Sequence, residues 1–412
     1  MAHLAMADPE IASLIDHERI RLEETLNLIA AENHMPAAVL ETLGSVLNTK
    51  TIEGYPGKRF HAGCVHVDEV ETLAIARGRG LFGAEHVNVQ PHSGTSANLA
   101  VYFAVLEVGD RILSMKLAHG GHLSHGHPAS ITGRCFDFRH YSVDPETELI
   151  DYAQVQRLAG EFQPRMIVAG ASSYPRCIDY ARMAKIARSI SAYLLVDMAH
   201  LAGLVAAGVI PSPVPHSDFV TFTGYKTLMG PRGGVILCRA PFARKIDRTI
   251  FPGCQGTSAV NLIAAKALIF KLAGEKAFID TQAQTVINAT HLAVALAGRG
   301  YRIVTGGTDN HLVLVDVGAR HLEGGEVEKL LETVGIIANR NVIPGDESKP
   351  GAVSGVRFGT AAVTTRGMGT AEMDMIADLI DRTLAGAHDA SCLAGIKGEV
   401  QALCKRFPVY AY

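Results

Sequence analysis

A chain of 412 residues exceeds what one small core holds, so a large and a smaller domain are expected. Its 38 Lys and Arg against 41 Asp and Glu give a net charge of −3 without a basic tail or charge block, so neither nucleic acid nor an anionic membrane is indicated as a partner. The 7 cysteines (64, 135, 177, 238, 254, 392 and 404) are scattered without CxxC or zinc spacing, which suits free thiols in a reducing cytoplasm. The first residues lack a basic region followed by an apolar run, so no signal peptide is expected. The most apolar stretch, Leu201 to Ile210, is too short to span a bilayer.

Residues from about Ile11 to Glu32 show helical periodicity. From about Glu85 to Phe251, short apolar runs alternate with helical segments, with Met166 to Gly170 and Leu194 to Val196 among the strands. That alternation predicts a mostly parallel α/β sheet. Ala259 to about Gly298 reads as long helices crossing towards a second unit. Arg302 to Val304, His311 to Val317 and Val356 to Gly359 then read as strands of a small α+β domain. The expected division is an N-terminal arm with the large domain over residues 1–290, and the small domain over 291–412.

Four segments carry chemistry. In Val87 to Ala100, glycine and hydroxyl residues precede a helical run, so free N–H groups and the positive helix end can receive a phosphate. Gly94 would let the backbone approach and Thr95 would add a hydroxyl; a small-residue helix start without a ligand has the same look. Leu117 to His127 places four histidines on a glycine-rich loop, but no Cys or acidic residue accompanies them, so no metal is expected. His122 is the imidazole expected to lie on a flat cofactor ring. Ala192 to His200 is a buried strand with Asp197 at its carboxyl end, where open α/β sheets bind ligands. Asp197 can pair with a pyridinium nitrogen or cap a helix, and His200 can orient that acid or touch the ring oxygen. Finally, Val220 to Gly234 places Lys226 at an apolar strand end. Desolvation depresses a lysine pKa and supplies a neutral amine that condenses with aldehydes, of which pyridoxal phosphate is the usual one.

With these motifs in this order, the chain resembles the serine hydroxymethyltransferases. The resemblance runs essentially end to end, from Glu23–Asn33 to Arg406–Ala411, and is specific in Glu53–Arg59, Asn88–Gly94, Ala118–Leu123, Asp197–Val205 and Lys226–Gly234. It implies the pyridoxal-phosphate fold type I, similar to aspartate aminotransferase: an α/β large domain on a mostly parallel, seven-stranded-type sheet, plus a smaller α+β C-terminal domain. It further implies that Lys226 carries the cofactor, with Asp197, His122 and His200 on its ring and Thr51, Gly94, Thr95, Ser172 and Thr223 around it. Gly256 is similar to a turn that reaches the neighbouring subunit's phosphate, which implies a homodimer with shared active sites that can pair into a tetramer. Glu53 matches the proton-handling carboxylate and, with Leu117, Gly121 and Asn341, the contacts to the pterin of tetrahydrofolate. Arg357 offers a planar fork for the substrate carboxylate.

Departures from the family pattern bear on substrate. Thr51, Phe60 and His61 stand where serine-specific members commonly carry tyrosine. Thr51 is shorter and leaves space, whereas His61, on the substrate and folate side, brings a group that titrates near neutrality. Asn48 to His61 and Tyr174-Pro175-Arg176 resemble the 2-methylserine branch, both its hydroxymethyltransferases and its aldolases. Tyr225 replaces the usual histidine before the lysine, as in threonine transaldolases, and Ala361 stands where the family usually has proline. The expected activity is a hydroxymethyltransferase that makes or breaks the Cα–Cβ bond of serine or 2-methylserine and passes the one-carbon unit to tetrahydrofolate. A folate-independent aldolase or L-threonine transaldolase of the same family is the alternative.

Overall fold

Seven strands form the central sheet in the spatial order His86–Asn88, Gly234–Cys238, Phe219–Thr223, Tyr193–Asp197, Met166–Ala169, Arg111–Met115 and Asp137–Tyr141. The last five are mutually parallel, and Gly234–Cys238 runs antiparallel to both of its neighbours. Strands such as Met166–Ala169 and Phe219–Thr223 are buried along their whole length, as expected where helices cover both faces of a parallel sheet. The computed structural model describes residues 2–346, 351 and 353–410. Residues 347–350 and 352, which follow the expected pterin contact Asn341, lie outside the described residues, as does Ala411 of the terminal motif.

Two local devices shape the carboxyl ends of this sheet. Ser93 caps helix Gly94–Val105: its hydroxyl accepts the Ser96 N–H at 3.1 Å, and the Ser96 hydroxyl accepts the Ser93 N–H at 2.8 Å. This reciprocal cap aims the first helical N–H groups past the end of strand His86–Asn88. Gly121 is required by close approach, because a Cβ there would lie 2.4 Å from the Met115 carbonyl oxygen. The loop bearing His122 can therefore fold tightly onto strand Arg111–Met115.

Helix Val260–Leu272 packs on helix Val65–Phe82, and helix Lys276–Gly298 continues from it to a second sheet. That sheet has four antiparallel strands in the order Arg302–Ile303, Leu312–Asp316, Gly355–Gly359 and Asn339–Asn341. Phe278 still packs in the core of the large sheet, whereas Leu292 and Leu296 pack with Val313, Val315 and Phe358 of the small one. Among the described residues no helix is long and apolar enough to cross a membrane.

The helical periodicity expected from Ile11 to Glu32 ends early. Helix Pro9–Glu24 stops at an extended Thr25, and Leu26–Asn27 pairs in parallel with Ile336–Ile337. Burial decides the outcome: Leu26 and Leu28 are fully enclosed in the small-sheet core, which a continued helix would not reach. Arg366 fastens this junction, donating to the carbonyls of Leu22, Glu23, Thr25, Cys404 and Phe407. Arg366→Met removes the donor from those carbonyls, one of them buried and the rest half-buried. It is expected to destabilise the fold by about 3 kcal/mol or more, read as a lowered urea midpoint.

Candidate active site

Asp197 ends strand Tyr193–Asp197 and is almost enclosed. Its Oδ2 accepts from Asn98 Nδ2 at 2.8 Å and from His125 Nε2 at 3.1 Å, while its Oδ1 accepts the Ala199 N–H at 3.0 Å. Burial would raise this carboxyl group, but the hydrogen bond and charge of His125, with the Asn98 amide, hold it well below the usual carboxylate range. Asn98 is itself fixed: its Oδ1 accepts from Thr221 Oγ1 at 2.6 Å, and its Nδ2 also reaches Ser124 Oγ at 2.9 Å. Thr221 stands directly opposite Asp197 in the register of the neighbouring strand.

Lys226 follows the next strand, Phe219–Thr223, and is 6% exposed. Burial pushes its ammonium down to about 8, against the pull of Asp197 and with a further push from Arg357. A usable fraction of neutral amine therefore exists near neutrality. His122 is pushed down to about 4 by burial, and its Nδ1 accepts the Ser124 N–H at 3.2 Å. Its loop is joined to Ser172, whose hydroxyl donates to the Gly121 carbonyl at 2.9 Å. The expected site residues Gly94, Thr95, His122, Ser172, Asp197, His200, Thr223 and Lys226 all line one cleft, with His125, Tyr225 and Arg232.

His200 sits beside His311, with Nδ1 and Nε2 3.4 Å apart. Burial holds His200 well below its ordinary value and His311 at about 3, so both are neutral imidazoles. Of the two roles open to His200, orienting Asp197 falls instead to His125 and Asn98. Arg357, on strand Gly355–Gly359, donates from Nη1 to the Ser172 carbonyl and from Nε to Asn339 Oδ1 at 3.1 Å. It has no carboxylate partner among the described residues, and burial pushes it down to about 10. Arg357 does not itself line the cleft; among the described residues it is a buried guanidinium without a counter-ion, one hydrogen bond behind the cleft-lining Ser172.

Other expected residues are not brought to this cleft within one chain. Glu53 lies beside Gly256, where an added Cβ would stand 3.7 Å from Glu53 Oε1. Thr51 and His61 are exposed, as is Phe60, which meets Phe251 edge-on at 5.5 Å. Leu117 is exposed as well, and Asn341 bonds its own neighbour Val342.

Sequence reasoning missed Asn98, Ser124, His125, Thr221 and His311. His125 was visible within the histidine-rich loop, but its partner was not. No acid accompanies those histidines along the chain, yet in space His122, His125 and Asp197 bring ligand atoms within 4.8 Å of one another. Asp197 is already engaged by three donors, and the Lys226 ammonium lies in its field, which disfavours a cation there.

The cleft fits a phosphorylated pyridine aldehyde. Thr223 Oγ1 is buried without a partner among the described residues, and Gly94 leaves room that a Cβ would fill, at 2.6 Å from Thr223 Cγ2. Gly94 opens the capped N-terminus of helix Gly94–Val105, a ready anion site, and Thr223 lies against it in the cleft lining. Fold and site together define a pyridoxal-phosphate enzyme of fold type I. The family model for serine hydroxymethyltransferase matches residues 4–380, and the chain belongs to that family. Its members depend on pyridoxal phosphate and use tetrahydrofolate as co-substrate.

Asn98→Ala removes one donor from the buried Asp197 carboxylate. It is expected to lower kcat about 10–100-fold while cofactor content, read by absorbance, is retained. With Lys226 as the amine that captures added pyridoxal phosphate, uptake needs its neutral form, and its lowered value lies at about 8. The capture rate is expected to be slow below that pH and to rise through it, as followed by stopped-flow absorbance across a pH series.

Proposed function

We propose that this enzyme transfers the hydroxymethyl group of serine or 2-methylserine to tetrahydrofolate, and runs the reverse addition to glycine or alanine. The observation that carries this is Arg357, a buried guanidinium tied to the cleft-lining Ser172 and lacking a carboxylate partner among the described residues. A free amino-acid carboxylate matches that fork. Bound pyridoxal phosphate supplies an electron sink for the bond that breaks.

The chain's own groups divide the remaining work. Lys226 provides the amine that holds the cofactor and is displaced by the substrate's amine. Asp197, kept ionised, holds a proton on the nitrogen that faces it. Gly94, Thr95 and Thr223 receive the phosphate, and His122 covers one face of the site and excludes water. Glu53 accepts the substrate hydroxyl proton as the aldehyde leaves, and with His61, Leu117, Gly121 and Asn341 forms the folate side. Thr51, short where the family commonly has tyrosine, leaves space for an α-methyl group.

A homodimer with shared active sites belongs to the same proposal, with a tetramer as the next level of assembly. Two observations support it: Thr51, Glu53, His61 and Gly256 stand off the one-chain cleft, and helix Pro9–Glu24 leaves Ile11, Leu14 and Ile15 exposed. The change of core between Phe278 and Ala289 supports a division into large and small domains near residue 290. All seven cysteines are free thiols, which supports a cytoplasmic setting.

A second reading, folate-independent aldol or transaldol exchange on threonine, is favoured by Tyr225. Its ring stacks under the Arg232 guanidinium at 4.4 Å, with Lys226 Nζ 5.9 Å away. Aldehyde release from L-serine, 2-methyl-L-serine and L-threonine, with and without tetrahydrofolate, distinguishes the two. Folate-stimulated release from the first two is expected; folate-indifferent exchange on threonine would establish the second reading. Thr51→Tyr is expected to suppress 2-methylserine turnover more than serine turnover, and an equal fall in both would remove the space argument.

A further inference from the structure

Lys266 is a cation that none of these roles uses. It lies on the inner side of helix Val260–Leu272, is 2% exposed, and has no carboxylate within ion-pair distance among the described residues. Its Nζ donates to the carbonyls of Val89 at 2.6 Å and Gly234 at 2.9 Å, and lies 3.4 Å from that of Pro91. Val89 and Pro91 belong to the segment that leads from strand His86–Asn88 into helix Gly94–Val105. Gly234 opens the adjacent strand, immediately after the cleft-lining residues Arg232 and Gly233.

One ammonium therefore joins the two backbone segments that form the phosphate end of the cleft. The Gly234 N–H also donates to the Pro91 carbonyl at 2.8 Å. Between them, the Gln90 carbonyl is held by Ser258 Oγ and Gln255 Nε2, each at 2.7 Å. Gly233 has φ +109°, which L side chains rarely adopt, and a Cβ there would stand 2.9 Å from Lys266 Nζ. A charge desolvated this far is expensive, and an apolar side chain of the same length would fill the space at less cost. Its retention beside a phosphate site calls for a ligand that repays it.

We propose that Lys266 is a positioning residue for the cofactor phosphate. Its ammonium sets the carbonyls of Val89, Pro91 and Gly234 so that the N–H groups of Gly94 and Thr95 face the cleft, and its charge acts on the phosphate through one layer of backbone. This rests on the pyridoxal-phosphate site described above. Burial pushes Lys266 down to about 7, with Glu71 pulling it up, so the ammonium titrates in an accessible range. A phosphate dianion favours the charged form, so the affinity Lys266 confers is present below that pH and is lost as pH rises through it.

Other charges face the same region. From helix Val65–Phe82, Glu71 is paired with Arg59, and Arg77 donates to the Ala267 carbonyl at 2.8 Å. His92 and Arg232 sit on the two joined segments, and Glu41, on helix Ala37–Leu43, is exposed. All of these remain in a Lys266 variant, so the difference between variant and parent isolates Lys266.

The test uses the full chain stripped of cofactor and two probes that lack the aldehyde: 4-deoxypyridoxine 5′-phosphate and 4-deoxypyridoxine. Titration calorimetry at a series of pH values compares the parent with Lys266→Met, Lys266→Gln and Lys266→Arg. Lys266→Met is expected to weaken the phosphorylated probe by about tenfold at pH near 6.5 and the unphosphorylated one by less than about twofold. The gap should narrow above pH 8, and Lys266→Arg should restore most of the loss. Should Lys266→Met fail to fold, Lys266→Gln carries the same comparison, because it keeps two donors without the charge. Equal weakening of both probes, or no weakening, overturns the proposal. A parent protein that binds neither probe overturns the cofactor site on which the proposal rests.

Discussion

The carboxylate of Asp197, buried at the end of a parallel strand, is the constraint on which the site depends. A lone ionised carboxyl group in such a place is strongly disfavoured, so the surrounding chain must supply donors from several directions. It does so through His125 from the histidine loop, Asn98 from helix Gly94–Val105 and the Ala199 amide from its own turn. Each donor fixes an element that carries another functional group. The helix that presents Asn98 begins with Gly94 and Thr95, and the loop that presents His125 also presents His122. Satisfying one acid therefore places the start of helix Gly94–Val105, His122 and His200 relative to one another.

Around that single acid the interior is cationic. Lys226, Lys266 and Arg357 are all buried, and burial lowers the pKa of each. An overall charge of −3 conceals this, because the compensating acids lie elsewhere on the chain. Buried unpaired cations weaken a fold; among the described residues Lys266 and Arg357 have no carboxylate partner and donate instead to carbonyl oxygens. The same arrangement suits a cofactor phosphate and an amino-acid carboxylate, both anions, entering a site of low dielectric.

The strands of the large sheet and the motif residues at their ends were legible because apolar runs and glycine turns are local signals. The N-terminal helix was over-extended by eight residues, from Glu24 to Glu32, since periodicity along one element does not report that Leu26 and Leu28 leave to join a distant core. The partners of Asp197 were not legible for a related reason: Asn98 is 99 residues away and His125 is 72. The Thr221 hydroxyl that orients Asn98 owes its place to the pairing of Asp197 with Thr221 across adjacent strands.

Sequence alone determined the class of chemistry: a desolvated lysine, an acid at a strand end and a glycine-rich helix start are each written in a few contiguous residues. Tertiary structure decided which of four histidines serves the acid, and that Lys266 and Arg357 stand buried without a carboxylate partner among the described residues. It also left Thr51, Glu53 and His61 outside the one-chain cleft. Those outcomes depend on strand order and register, and such long-range pairings are set by packing of the whole chain rather than by any one segment.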